Sequence, residues 1–177
     1  MRLKIAQLAA IHSTLSPTYT NIMADQTGLS FEIKDAYDLF GAFCESINDF
    51  TTDELSTRKA VVCAMLGWHV ADWLYAEHPH LAVNLNAFQR RVRAECSALS
   101  YMRDVATATK HGSTHWEPAV KATETHGGAF SRGFSRDFDV PCLRLAIDGE
   151  RWVYFDDQLA IARTYWEQFF NQIRGAS

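Results

Sequence analysis

Apolar residues recur at steps of three and four through most of this chain, a spacing that predicts helices rather than strands. Between Glu32 and Phe50 the run Ala36, Leu39, Phe40, Phe43, Cys44 and Ile47 marks one face of a helix. A longer helix is expected from Asp53 to about Glu77. Its apolar stripe reads as Leu55, Val62, Met65, Leu66 and Trp73, with Thr51 and Glu54 as a capping pair and Pro79 as its stop. Leu85, Phe88, Val92, Cys96, Leu99, Met102 and Ala106 then continue one stripe. It reads as one long helix, or as two joined by a bend near Ser97, and Gly112 ends it as a C-terminal cap. A last helix carries Leu159, Ala162, Trp166, Phe169 and Ile173, opened by Asp156 or Asp157. At the other end, Ile5, Leu8, Ala9, His12 and Leu15 predict a short helix over 3–15, closed by Ser16-Pro17 and followed by a polar loop over 17–30. Residues 1–30 therefore read as a loosely docked appendage, with Met23 as an alternative start, and residues 31–177 as a single helical domain.

The period changes after Gly112. Trp116 to Thr125 is short, polar and broken by a proline, the pattern of an edge strand, and residues 126–139 read as an irregular loop rich in Gly, Ser, Phe and Arg. Leu143–Ile147 and Arg151–Phe155 flank Asp148-Gly149, a dipeptide that supplies the positive φ angles of a tight hairpin. The expected fold class is α+β, mainly α: a helical bundle with a short antiparallel hairpin or sheet before the C-terminal helix.

Composition narrows the classes of function. Apolar residues make up 47% and charged residues 21%, the balance of a chain with a packed core rather than a disordered one. The net charge of −4 lacks the overall basic excess of a dedicated duplex-DNA binder, whose affinity comes largely from phosphate neutralisation, although local basic surfaces remain open. Cys44, Cys63, Cys96 and Cys142 form no Cys-x-x-Cys pair and lie in apolar or helical contexts, so reduced, buried thiols are expected. No apolar run approaches the roughly 18 residues of a membrane span. Gln7, His12 and Ser13 interrupt the N-terminal segment too early for a signal-peptide core. A cytoplasmic protein without membrane contact is expected.

Two places are chemically unusual. In Trp68-His69-Val70-Ala71-Asp72-Trp73, His69 falls on the expected stripe and Asp72 follows at a spacing that shares its face. Such a pair is either a core histidine held by a hydrogen bond or an imidazole poised beside a carboxylate for proton transfer or metal binding. The second place is Arg103-Asp104, followed by Lys110-His111 at the end of the fourth helical stretch. Seven residues make almost two turns, so Arg103 aligns with Lys110 and Asp104 with His111, both cations bordering the apolar stripe. They either snorkel over the core or line a cleft that receives an anion. The helix dipole favours a cationic His111 in the last turn.

Together, His69, Asp72, Asp104 and His111 would offer two imidazoles and two carboxylates to a metal, but neither segment has the tight spacing of established metal motifs, and no metal or other cofactor is assigned. No nucleophile elbow or catalytic cysteine setting is present. Arg132 and Arg136 interleave with Phe130, Phe134 and Phe138, a pattern that reads as a mobile loop over the hairpin or as a stacking platform for single-stranded nucleic acid. His78, His80, His115 and His126 read as surface residues.

The combination Trp68-His69-x-x-Asp72-Trp73, Cys96-x-x-Leu99-x-x-x-Arg103-Asp104, Lys110-His111 and Trp166-x-x-Phe169-Phe170 resembles a set of small bacterial and phage proteins over about residues 35–173, a resemblance that carries no activity with it. More remotely, the Arg103…His111 arrangement is similar to HEPN domains, helical bundles many of which are metal-independent ribonucleases. Their motif is an Arg followed, at a slightly shorter interval, by a His; here seven residues separate the two, and the polar residue after Arg is Asp104. The resemblance implies a cleft lined by His69, Asp72, Arg103, Asp104, Lys110 and His111. In it Arg103 would stabilise the phosphate and His111 would act as acid or base on a 2′-hydroxyl. RNA or another protein is the expected partner, and a homodimer is compatible with this reading. The alternative is a non-catalytic interaction or accessory protein in which the same residues form a structural polar network.

Overall fold

The structure is a computed structural model that describes residues 31–148 and 151–175. The helix expected over 3–15 and the loop over 17–30 lie outside the described residues. From Ala36 onward the order is α1 (Ala36–Thr51), α2 (Thr57–Glu77), a short 3-10 turn (Pro79–Leu81), α3 (Leu85–Glu95), α4 (Ser97–His111), β1 (Val120–His126), β2 (Cys142–Ile147), β3 (Arg151–Tyr154) and α5 (Phe155–Gly175). The architecture is α+β, mainly α, with a three-stranded antiparallel sheet ahead of the C-terminal helix.

Local chemistry sets the boundaries. Asp35 caps α1 by accepting from the Asp38 amide, and Ser56 caps α2 by accepting from Lys59, so α2 starts later than the expected Thr51–Glu54 box. Thr51 and Thr52 turn their hydroxyls back onto the carbonyls of Asn48 and Asp49, closing α1 instead of opening α2. The stripe over 85–106 breaks into two helices at Cys96, whose backbone is extended. Gly112, in the left-handed region, ends α4 as expected. The last helix begins at Phe155, directly after β3, without a separate Asp cap.

α2 is the central helix and packs against α1, α3, α4 and α5. The stripe expected for it is corrected by its position: Val62 and Met65 are 38% and 36% exposed. Its buried face is instead built from Ala60, Cys63, Ala64, Gly67, Trp68, Val70, Ala71 and Leu74. A helix surrounded by partners needs small side chains where neighbours come closest, so residue size rather than hydropathy selects the contact face. Gly67 is the tightest point. A Cβ there would sit 2.8 Å from both the Met102 sulfur and Phe43 Cε2, and both of those side chains are fully buried. Gly67→Ala is therefore expected to lose up to about 2 kcal/mol, an overpacking cost of about 1–3 kcal/mol less about 1 kcal/mol of helix propensity. Urea unfolding measures the difference, and a variant more stable than the parent would show that the contact can yield.

β2 is the central strand, pairing with β1 (Thr123 with Leu145) and with β3 (Ala146 with Trp152). Leu145, Ala146 and Ile147 are buried, and the β2–β3 arm packs on α5. Asp148 has φ of +54°, the left-handed conformation expected at the hairpin turn. Phe155, the first residue of α5, meets Phe50 of α1 edge-on at 5.7 Å, tying the end of the sheet to the bundle.

Candidate functional site

The His69–Asp72 pair forms as its helical spacing requires. His69 Nδ1 and Asp72 Oδ2 are 2.8 Å apart, and Asp72 Oδ1 accepts a 2.6 Å bond from Gln89 Nε2 of α3. The imidazole is not in the core: its side chain is 45% exposed. One ring edge is fixed by a carboxylate that is itself fixed from a second helix, while Nε2 has no partner among the described residues. This is the geometry of an oriented imidazole able to accept or deliver a proton at its free nitrogen.

One turn beyond Gln89 on the same face of α3 stands Arg93, whose Nε–H donates to the Gln89 carbonyl at 3.1 Å. Burial lowers the pKa of this guanidinium; repulsion from Arg103 and Arg90 adds to the effect and Asp104 opposes it. Three arginines therefore share a neighbourhood with one carboxylate, and that carboxylate is already committed. Asp104 is 3% exposed. Its Oδ1 accepts from Arg103 Nε (3.2 Å), Arg103 Nη2 (2.8 Å) and Trp116 Nε1 (3.0 Å), and its Oδ2 from the amides of Ala119 (2.6 Å) and Val120 (3.3 Å). The guanidinium of Arg103 lies 4.3 Å from the centre of the Trp116 ring. Asp104 is thus the buried pin between α4 and the start of β1, with Arg103 clamped against it.

The structure links the two sequence motifs through α3, by way of Gln89 and Arg93, rather than by direct contact between them. Lys110 and His111 are exposed in the last turn of α4. Eight positions at 1.5 Å each separate Arg103 from His111 by about 12 Å along the axis, a little over two turns. Among the described residues no three His, Cys, Asp or Glu side chains gather where one ion could be held. Cys44, Cys63, Cys96 and Cys142 are free thiols whose pKa is raised by burial, which makes them poor nucleophiles.

Gln89, Arg93 and Trp116 escape the sequence reading because their partners lie on other elements. So does His126, read as an ordinary surface residue: it sits between Glu124 and Asp139. Phe130, Phe134 and Phe138 stack on one another with centroids 5.3–5.7 Å apart, each about half-exposed. The arginines between them are paired with the chain's own carboxylates, Arg132 with Glu54 and Arg136 with Asp156 and Asp157. No helix among the described residues is long and apolar enough to cross a membrane. No family model, no curated protein and no solved structure matches this chain.

Proposed function

We propose that the chain is a nucleic-acid-associated protein with a metal-independent, ribonuclease-type site, similar in kind to that of HEPN domains but centred on His69. The observation that supports this is the His69–Asp72–Gln89 relay, which leaves one imidazole nitrogen outward on the side of the molecule where Arg93 extends the same face of α3. In this reading His69 Nε2 takes the proton of a ribose 2′-hydroxyl. The 2′-oxygen attacks the adjacent phosphorus, the bond to the 5′-oxygen breaks, and that oxygen takes a proton from solvent, leaving a 2′,3′-cyclic phosphate. Arg93 and Arg103 stabilise charge developing on the non-bridging oxygens. Lys110 extends the cationic border along the exposed end of α4, with the His111 imidazole beside it. The local cluster reconciles RNA binding with a net charge of −4.

The test is incubation of the purified chain with single-stranded RNA in the presence of a chelator. Cleavage is expected, at least about a hundredfold slower in His69→Ala, the size of a lost general base, with Arg93→Ala weakening RNA affinity. Undiminished cleavage by His69→Ala would remove that residue from the mechanism.

The second reading is a non-catalytic interaction or accessory protein, favoured by the fully satisfied carboxylate of Asp104, which marks the Arg103–Asp104–Trp116 cluster as architectural. It predicts no cleavage by the parent protein, with substitutions at Arg103 and Trp116 moving only the melting temperature.

A further inference from the structure

We propose that the neck of the loop between β1 and β2 is a pH-operated clasp, in which the imidazolium of His126 bridges Glu124 and Asp139 and so fixes the segment that displays Phe130, Phe134 and Phe138. His126 ends β1. Its Nε2 is hydrogen-bonded to Asp139 Oδ1 across the loop, and its Nδ1 lies 3.6 Å from Glu124 Oε1 on the same strand. A neutral imidazole has one N–H; only the doubly protonated ring presents a donor and positive charge to both carboxylates. The other groups around it point the same way. Glu124 is held in place by Arg144 of β2, and Cys142 of β2, the register partner of His126, is a thiol with no charge to contribute.

Asp139 is what makes this contact a clasp. Its carbonyl accepts from the amides of Ala129 (2.8 Å) and Phe130 (2.9 Å), and its Oδ2 accepts again from Ala129 at 2.9 Å. The two sides of the loop cross closely at Gly128, whose φ is +60° and where a Cβ would fall 2.5 Å from the Pro141 nitrogen. The residue that pairs with the imidazole is therefore the residue that closes the backbone neck beneath the aromatic cluster.

The window of the clasp has two edges. The hydrogen bond from His126 is the largest influence on Asp139 and, with the charge of His126, the Ala129 amide and Arg144, holds its carboxyl below the usual carboxylate range. A depressed carboxyl stabilises above its unfolded value, and this contribution is lost as pH falls through the folded one, so the acid edge lies below the ordinary range. On the alkaline side the clasp loosens when the ring gives up its second proton. The tip of the loop is held separately, by guanidinium–carboxylate pairs of Arg132 with Glu54 and of Arg136 with Asp156 and Asp157, none of which involves an imidazole. The response belongs to the neck.

Amide exchange at Ala129 and Phe130, expressed as protection factors from about pH 5 to about pH 9 and set beside the NMR titration of the His126 ring, tests this. Protection is expected to fall several-fold in step with loss of the ring's second proton. His126→Gln should abolish the pH response, and Glu124→Gln should weaken it. Asp139→Asn, which keeps the backbone carbonyl and loses the charge, serves as a second variant should His126→Gln fail to fold. Neck protection that stays constant while His126 titrates, or a pH response that survives in both His126→Gln and Asp139→Asn, would overturn the proposal.

Discussion

Replacing Asp104 by alanine is expected to lower stability by about 3–5 kcal/mol, the cost of breaking a buried charge pair by removing one partner. Five hydrogen bonds converge on this carboxylate from Arg103, the Trp116 indole and the amides of Ala119 and Val120. Alanine removes the shared acceptor of all of those donors at a position that is 3% exposed, and strands the Arg103 guanidinium against Trp116. Against a total stability of about 5–15 kcal/mol, the loss corresponds to a fall in melting temperature of about 6–20 °C. Asp104→Asn should fall between the parent and Asp104→Ala, because it keeps one acceptor oxygen and turns an amide N–H₂ toward groups that are themselves donors. Trp116→Phe removes a single bond, worth about 1 kcal/mol, and should be non-additive with Asp104→Ala, since the indole N–H loses its acceptor in either case. Denaturant unfolding of the parent, the three single variants and the Asp104→Ala, Trp116→Phe double variant measures the set. A loss below about 1 kcal/mol in Asp104→Ala would mean that water reaches the site and satisfies the donors.

The result bears on function as well as stability. A carboxylate that fixes the Arg103 guanidinium and the start of β1 at once is a poor candidate for proton transfer, because moving its charge would release both. Activity lost in Asp104 variants would thus follow from displacement of Arg103, whereas activity lost in His69 variants would follow from chemistry at an exposed ring. Melting temperature separates the two, since His69 Nδ1 has one partner and a half-exposed ring, and its removal costs little.

Local pairs were legible in the chain and remote ones were not. His69 and Asp72 share a helical face by spacing alone, Gly112 marks a helix end, and Asp148-Gly149 marks a hairpin; each follows from a few consecutive residues. The misplaced start of α2 shows the limit. Thr51 looks like a cap, but its hydroxyl satisfies the carbonyl of Asn48 behind it, and Glu54, expected to complete the box, pairs with Arg132. Two equally good local partners competed, and tertiary structure chose. The face of α2 was misjudged for a related reason: hydrophobic residues lie all round a central helix, so a stripe of large ones carries no direction, while Ala60, Ala64, Gly67 and Ala71 lie where neighbours approach. For Asp104 the missing information was its partners, 12 to 16 residues onward in a segment read as a loose edge strand. Gln89, 17 residues from Asp72, has no sequence mark at all.

Trp166→Ala is the other substitution expected to be severe, at about 3–5 kcal/mol, the range for truncating a fully buried aromatic residue. Trp166 of α5 is completely enclosed, and its indole N–H donates at 3.0 Å to the carbonyl of Gly67, the tightest point on α2. The ring also meets Tyr165 and Phe169 edge-on, at 5.1 and 5.9 Å. Its removal therefore opens a cavity at the junction of α5 with the central helix and deletes a hydrogen bond that ties α5 to α2. Trp166→Phe separates these effects: it retains most of the ring contact and loses the N–H, so a cost nearer 1–2 kcal/mol is expected, about 1 from the hydrogen bond and the rest from lost volume. Trp166→Phe should also couple to Gly67→Ala, because the added methyl displaces the backbone that carries the acceptor; a double-mutant cycle by urea unfolding would show an interaction of at least about 0.5 kcal/mol. Additive behaviour would place the strain at Gly67 in Phe43 and Met102 alone and leave α5 free to move independently of it.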